Sequence, residues 1–126
     1  MSVAVEIDRK NRVVVTRYSG HVTDADVRRQ VELIEAGGPY RDTWCTITDF
    51  TDVTNFDVAT ETIRTVAGRA SPLGTAKRVM VAPRDVEFGI SRMFQVLSEK
   101  TRPDITVVRT LTEAYKVLKL PPPEAA

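Results

Sequence analysis

Apolar positions along this chain change period at regular intervals, and the changes divide it into elements. Val3, Val5 and Ile7 alternate with Ala4 and Glu6, Asp8 to Asn11 forms a polar turn, and Arg12-Val-Val-Val-Thr-Arg-Tyr18 resumes an apolar run. This start reads as a β-hairpin whose second strand ends at Ser19-Gly20. Val27, Val31 and Ile34 then recur at helical spacing. Thr23, with Asp26 three residues on, is placed to cap that helix, and Gly37-Gly38-Pro39 stops it. Trp44-Cys-Thr-Ile-Thr48 suits a buried strand. It runs into an acidic turn from Asp49 to Thr60, in which Asp57 is expected to cap a helix and Val58 to be its first residue. Ile63, Val66, Ala67 and Ala70 mark the inner face of that helix, and Ser71-Pro-Leu-Gly74 ends it.

The second half repeats the alternation. Arg78-Val-Met-Val-Ala82, bounded by Pro83, reads as a central strand. Phe88, Ile90, Met93, Phe94, Val96 and Leu97 form a wide apolar stripe that predicts a well-buried helix. Pro103-Asp104 resets the chain before a strand over Ile105-Thr-Val-Val108, and Thr110 with Glu113 caps a last helix through Ala114 to Leu118. The order β-β-α-β-α-β-α-β-α, with crossovers of the length parallel pairing needs, predicts an α/β fold built on a mixed, mostly parallel sheet. Residues 1–120 are expected to form a single domain, followed by a short Pro-rich tail at 121–126.

Composition narrows the function classes. The chain has 126 residues, 42% hydrophobic and 28% charged, near ordinary globular averages. Eighteen Lys and Arg against seventeen Asp and Glu leave a formal charge of +1, which supplies no general attraction to nucleic acid or anionic lipid. No run approaches the length of a membrane span, and no signal-peptide pattern stands at the start. The single cysteine, Cys45, lies in a strand-like run where a small hydrophobe fits, and a cytoplasmic location is expected.

Candidate chemistry is sparse. Asp49, Asp52 and Asp57 gather carboxylates at the carboxyl end of a strand, where open α/β sheets usually place ligands, but nothing in the pattern sets a metal geometry. The helix-cap and turn-anchor roles of Asp57 and Asp49 account for two of them. His21, the only histidine, falls in an expected surface loop. The glycines form no phosphate-cradling fingerprint. Arg28-Arg29, Lys77-Arg78 and Arg84 are scattered among acids and read as solvated surface. Arg92 interrupts the apolar stripe, which makes it a candidate anion or ligand contact, or an arginine whose stem lies along the helix. No catalytic constellation, cofactor or metal set is visible, so the chain is expected to bind rather than catalyse.

The stretch Asp49-Phe-Thr-Asp-Val-Thr-Asn-Phe-Asp-Val-Ala-Thr60 resembles the strand-to-helix turn of STAS (anti-anti-sigma factor, SpoIIAA-like) domains. Phe88-Gly89, Arg92-Met93-Phe94 and Ala114 to Leu118 are similar to patterns of a SpoIIAA-like subgroup that lacks the phosphorylation site. The resemblance covers essentially the whole chain and implies the SpoIIAA-like fold. In that family the serine after the second aspartate of the turn is the phosphorylation switch; here it is Val58. Thr51, Thr54 and Thr60 offer hydroxyls at different angles. The resemblance therefore implies a regulatory module without the phosphoserine switch. Its partner would be a protein such as an anti-sigma-like factor, met through Asp49, Thr51, Asp57, Val58 and Thr60, or a second copy in a homodimer. The apolar stripe supports another reading, a small-ligand or lipid-binding protein with a pocket between the sheet and the helix Val86 to Leu97.

Overall fold

Parallel strands that stand in a sheet in their sequence order need crossovers that all step the same way, and with the usual right-handed sense their helices share one face. A computed structural model of the chain, which describes residues 2–121, has this arrangement. The elements run β1 (Val3–Asp8), β2 (Val13–Thr23), α1 (Asp24–Glu35), β3 (Cys45–Asp57), α2 (Thr60–Gly68), β4 (Arg78–Val81), α3 (Asp85–Leu97), β5 (Ile105–Val108) and α4 (Leu111–Val117). The strands form one sheet in the order β1-β2-β3-β4-β5, with β1 antiparallel to β2 and the other pairs parallel. This is the α/β element order that the hydrophobic pattern predicts. Pro121 follows α4 without regular structure, and the rest of the expected tail, 122–126, lies outside the described residues.

Alternation along each strand supplies two cores. Val13, Val15, Ile47, Val79, Val81 and Val108 point to the face covered by α4, where they pack with Ala114, Tyr115 and Leu118. Tyr18, Phe50, Met80 and Ile105 point the other way and meet Val27 of α1, Val66 of α2, and Phe88 and Phe94 of α3. The central strands therefore carry apolar residues on both faces, as suits parallel strands covered on both sides. Cys45 packs on the α4 side, where burial raises its thiol pKa.

Local chemistry sets the ends of these elements. The β1–β2 turn is held by Asp8, whose carboxylate accepts from the backbone N–H of Asn11 at 3.0 Å and from its side-chain amide at 2.9 Å. At the start of α1, Asp26 accepts from the N–H of Thr23 at 2.8 Å. The N–H of Glu113 donates to the Thr110 hydroxyl at 3.2 Å at the start of α4. After α1, Gly37 takes φ +90°, which ends the helix where the glycine pair predicts.

Three expectations are corrected. Ser19-Gly20 does not end β2: the pairing with β3 shifts register between Arg17 and Ser19 and again between Gly20 and His21, and Gly20 adopts φ +64°. The glycine thus lets the strand bulge and continue to Thr23, so His21 lies exposed within a strand rather than in a loop. β3 likewise continues through the expected turn to Asp57, and α2 begins only at Thr60 with Ala59 as its cap. Val58 is therefore not helical and Asp57 caps nothing: Asp57 ends a long two-stranded ribbon, and Val58 lies in the connection to α2. The third correction concerns α3. Its fully buried residues are Glu87 and Ser91, Phe88 and Phe94 are half-buried beside them, and Val96 is 71% exposed. The apolar stripe straddles the buried line of the helix instead of coinciding with it.

Candidate functional site

A cleft of about 120 Å³ opens between the sheet and the layer of α1, α2 and α3. Its floor is made by alternate residues of three strands: Thr16 and Tyr18 from β2, Thr46, Thr48 and Phe50 from β3, and Arg78 and Met80 from β4. Val27, Val31 and Ile34 of α1, Ile63 and Val66 of α2, and Ile90 and Phe94 of α3 form the opposite wall. The space has a simple origin. Threonines stand at the middle of the floor, where leucine or isoleucine would have filled the gap to the helices, so facing apolar surfaces do not close on each other. The Gln30 side chain donates to the Thr16 hydroxyl at 3.4 Å and adds a polar spot to a mostly apolar wall.

Two arginines lie at one end of the sheet, Arg78 as the first residue of β4 and Arg102 in the connection that leads into β5. Arg78 is 7% exposed and Arg102 is 9% exposed, and both line the cleft. Nη1 of Arg78 donates to the carbonyls of Gly74 at 2.8 Å and Ala76 at 3.1 Å, while its Nη2 is buried with no hydrogen-bond partner. Nη1 of Arg102 donates to the carbonyls of Val66 at 3.1 Å and Arg69 at 2.9 Å, and its guanidinium lies 5.5 Å from the centre of the Phe94 ring. Burial, with the charge of Arg102 adding to it and that of Asp104 opposing it, pushes the pKa of Arg78 down to about 10. Burial lowers that of Arg102 as well. Both guanidiniums remain charged at neutral pH. Glu35 also lines the cleft, but both of its oxygens are held by Arg69.

The residues singled out in the acidic stretch do not form one surface. Asp49 is buried, accepting from Nη1 of Arg17 at 3.3 Å and from the N–H of Thr51 at 2.9 Å. Asp57, Val58 and Thr60 are together at the β3–α2 junction: Asp57 and Thr60 are exposed, and Val58 packs against the helix-side core. Nε2 of His21 stands 3.4 Å from the Asp57 carboxylate. At the start of α2 the backbone N–H of Ala59 donates to Asp24 of α1 at 2.9 Å, which lowers the carboxyl pKa of Asp24. An aspartate from the neighbouring helix therefore caps α2. Arg92 is exposed on α3 and does not line the cleft. Among the described residues, no group of His, Cys, Asp and Glu side chains is arranged to hold a metal ion, and no helix is long and apolar enough to cross a membrane.

Sequence reasoning placed Arg78 on the solvated surface, and the structure overturns that. The signal was present: in Arg78-Val-Met-Val-Ala82 the period of two puts Arg78 on the same face as Met80, inside the helix layer. Arg102, between Thr101 and Pro103 in a connection, carries no comparable signal.

No protein-family model matches the chain, and no curated protein matches it. Among solved structures it is similar to an uncharacterised protein of the DUF3478 family with a SpoIIAA-like fold from Shewanella loihica PV-4. That match has a TM-score of 0.61 at 12% sequence identity and covers 92% of this chain and 91% of the other. The chain has the SpoIIAA-like fold.

Proposed function

We propose that this chain is a binding module rather than an enzyme, and that it holds a small ligand in the cleft between the sheet and the layer of α1, α2 and α3. The observation that carries the reading is the cleft itself: concave, mostly apolar, about 120 Å³ in volume, with a few polar groups converging on it. The expected pocket against the helix of residues 86–97 is thereby moved, because α3 contributes Ile90 and Phe94 while α1 and α2 form most of the wall. Titration with small apolar alcohols, followed by amide chemical shifts, tests it. Perturbations should centre on Thr48, Met80 and Val66; shifts scattered over the surface with no saturation refute the cleft as a site.

A second reading is supported by the β3–α2 junction. Exposed Asp57 and Thr60 flank Val58, where a phosphorylatable serine would stand in the family the chain resembles, and Asp24 supplies a permanent negative charge at the start of α2. This surface suits a protein partner, an anti-sigma-like factor or a second copy of the chain, bound in the cytoplasm without a phosphorylation switch. Charge reversal by Asp57→Lys should weaken capture of that partner about tenfold, since charge placed at an interface rim alters association strongly. Capture indifferent to the substitution refutes this surface.

A further inference from the structure

We propose that Arg78 and Arg102 form an anion seat at one end of the cleft, so that its ligand is a small amphipathic acid, with its carboxylate or phosphate against the guanidiniums and its apolar body beneath α1 and α2. The inference rests on the reading of the cleft as a binding site and adds the charge, size and orientation of the ligand. Neither arginine has a carboxylate within ion-pair distance among the described residues, although both are more than nine-tenths buried. Asp104 acts on Arg78 only from beyond ion-pair distance, and a buried charge with no carboxylate in contact is costly, so proteins normally pair it. The one carboxylate that lines the cleft, Glu35, is already engaged by Arg69.

The donors of Arg78 are unevenly used. Nη1 serves two loop carbonyls and so orients the guanidinium, while Nη2 is buried with no partner. An oriented, partly unused guanidinium is what recognition of a carboxylate or phosphate requires. Thr46, the cross-strand partner of Arg78, and Thr48 stand on the same floor and offer hydroxyls to the cleft. The volume of the cleft sets the size of the ligand. A cavity of roughly 150 Å³ accepts benzene, so a cleft of about 120 Å³ with an open mouth fits an apolar body of about six carbons.

The test is calorimetric titration of the full chain with hexanoate, hexanol and inorganic phosphate. Hexanoate should bind about tenfold or more tightly than hexanol, the range for a hydrogen bond to a charged group, and more tightly than phosphate alone. Arg78→Met should bring hexanoate down to the level of hexanol. Because Arg78 also holds a loop, Arg102→Gln is the second variant, expected to weaken hexanoate selectively by about threefold or more on the same scale. Equal binding of hexanoate and hexanol overturns the anion seat and leaves the cleft reading intact. Equal binding of phosphate and hexanoate overturns the amphipathic ligand. Binding that Thr48→Leu, which fills the floor, does not disturb removes the cleft reading together with this one.

Discussion

Tyr18 shows how much one buried side chain commits this protein. Its ring stacks on Phe50 with centroids 5.3 Å apart, and burial raises the phenol pKa well above its ordinary 10.0, with the negative charge of Asp26 adding to the effect. An unfolded chain loses this proton near pH 10 while the folded chain keeps it, so the folded state binds more protons there and stability falls as pH rises. For one such group the slope is about 1.4 kcal/mol per pH unit. Arg78 acts in the opposite sense. Its folded pKa of about 10 lies below its ordinary 12.5, so the cost of burying its charge is relieved as pH rises through that window. Comparing wild type with Tyr18→Phe cancels the arginine contribution. The variant should show a flatter loss of urea midpoint above pH 10, and an unchanged slope would mean that Tyr18 ionises freely in the folded state. At this scale the sequence was a partial guide. Tyr18 and Phe50 are apolar enough to be placed inside by type, whereas Arg78 is placed outside by type and inside by parity, and parity proved the better guide.

At the scale of elements, signals that act over three or four residues were legible and those that depend on a neighbour were not. Thr23 with Asp26 and Thr110 with Glu113 make their predicted contacts because capping is satisfied within one turn. The ends of β2 and β3 were misread because Gly20 and the acidic run are turn-like alone, yet each strand satisfies the backbone of the other over ten paired positions from Val13–Cys45 to Thr23–Asp57, five of them beyond the first register shift. The buried line of α3 was misread for a related reason. Glu87 and Ser91 lie on the line facing the protein, with Glu87 held by Arg84, whose Nη2 donates at 3.2 Å, and apolar residues take its flanks. The Ser91 hydroxyl is fully buried with no partner. Leaving a hydroxyl unsatisfied costs more than the small space its removal creates, so Ser91→Ala should raise stability by about 1 kcal/mol, read as a higher urea midpoint at unchanged m-value. A loss of stability would show that the hydroxyl is satisfied. Thr110→Ala, by contrast, should cost about 1 kcal/mol through loss of the α4 cap; no change in midpoint would mean that packing alone holds the start of the helix.

For the molecule as a whole, fold and cleft differ in how they are encoded. The fold is specified many times over, by strand alternation, helix spacing and crossover length, and each signal is local enough to read along the chain. A cleft is the difference between the volume that the elements enclose and the volume that their side chains fill, and no single segment carries it. Thr16, Thr46 and Thr48 are unexceptional strand residues in sequence, and only their convergence under α1 and α2 leaves the space open. That origin makes the cleft a stability cost which a ligand offsets. Replacing Thr48 with leucine should fill part of the floor and stabilise the ligand-free protein by about 1 kcal/mol, the reverse of cavity creation. Hexanoate at a hundred times its dissociation constant should stabilise wild type by about 2.7 kcal/mol. For a chain of 126 residues that corresponds to a rise in Tm of roughly 10 °C. The filled variant should start from a higher Tm and respond little to hexanoate. A variant that starts higher and still gains the full increment would place the bound acid elsewhere on the protein, since occupancy of the floor by leucine and by ligand excludes one another.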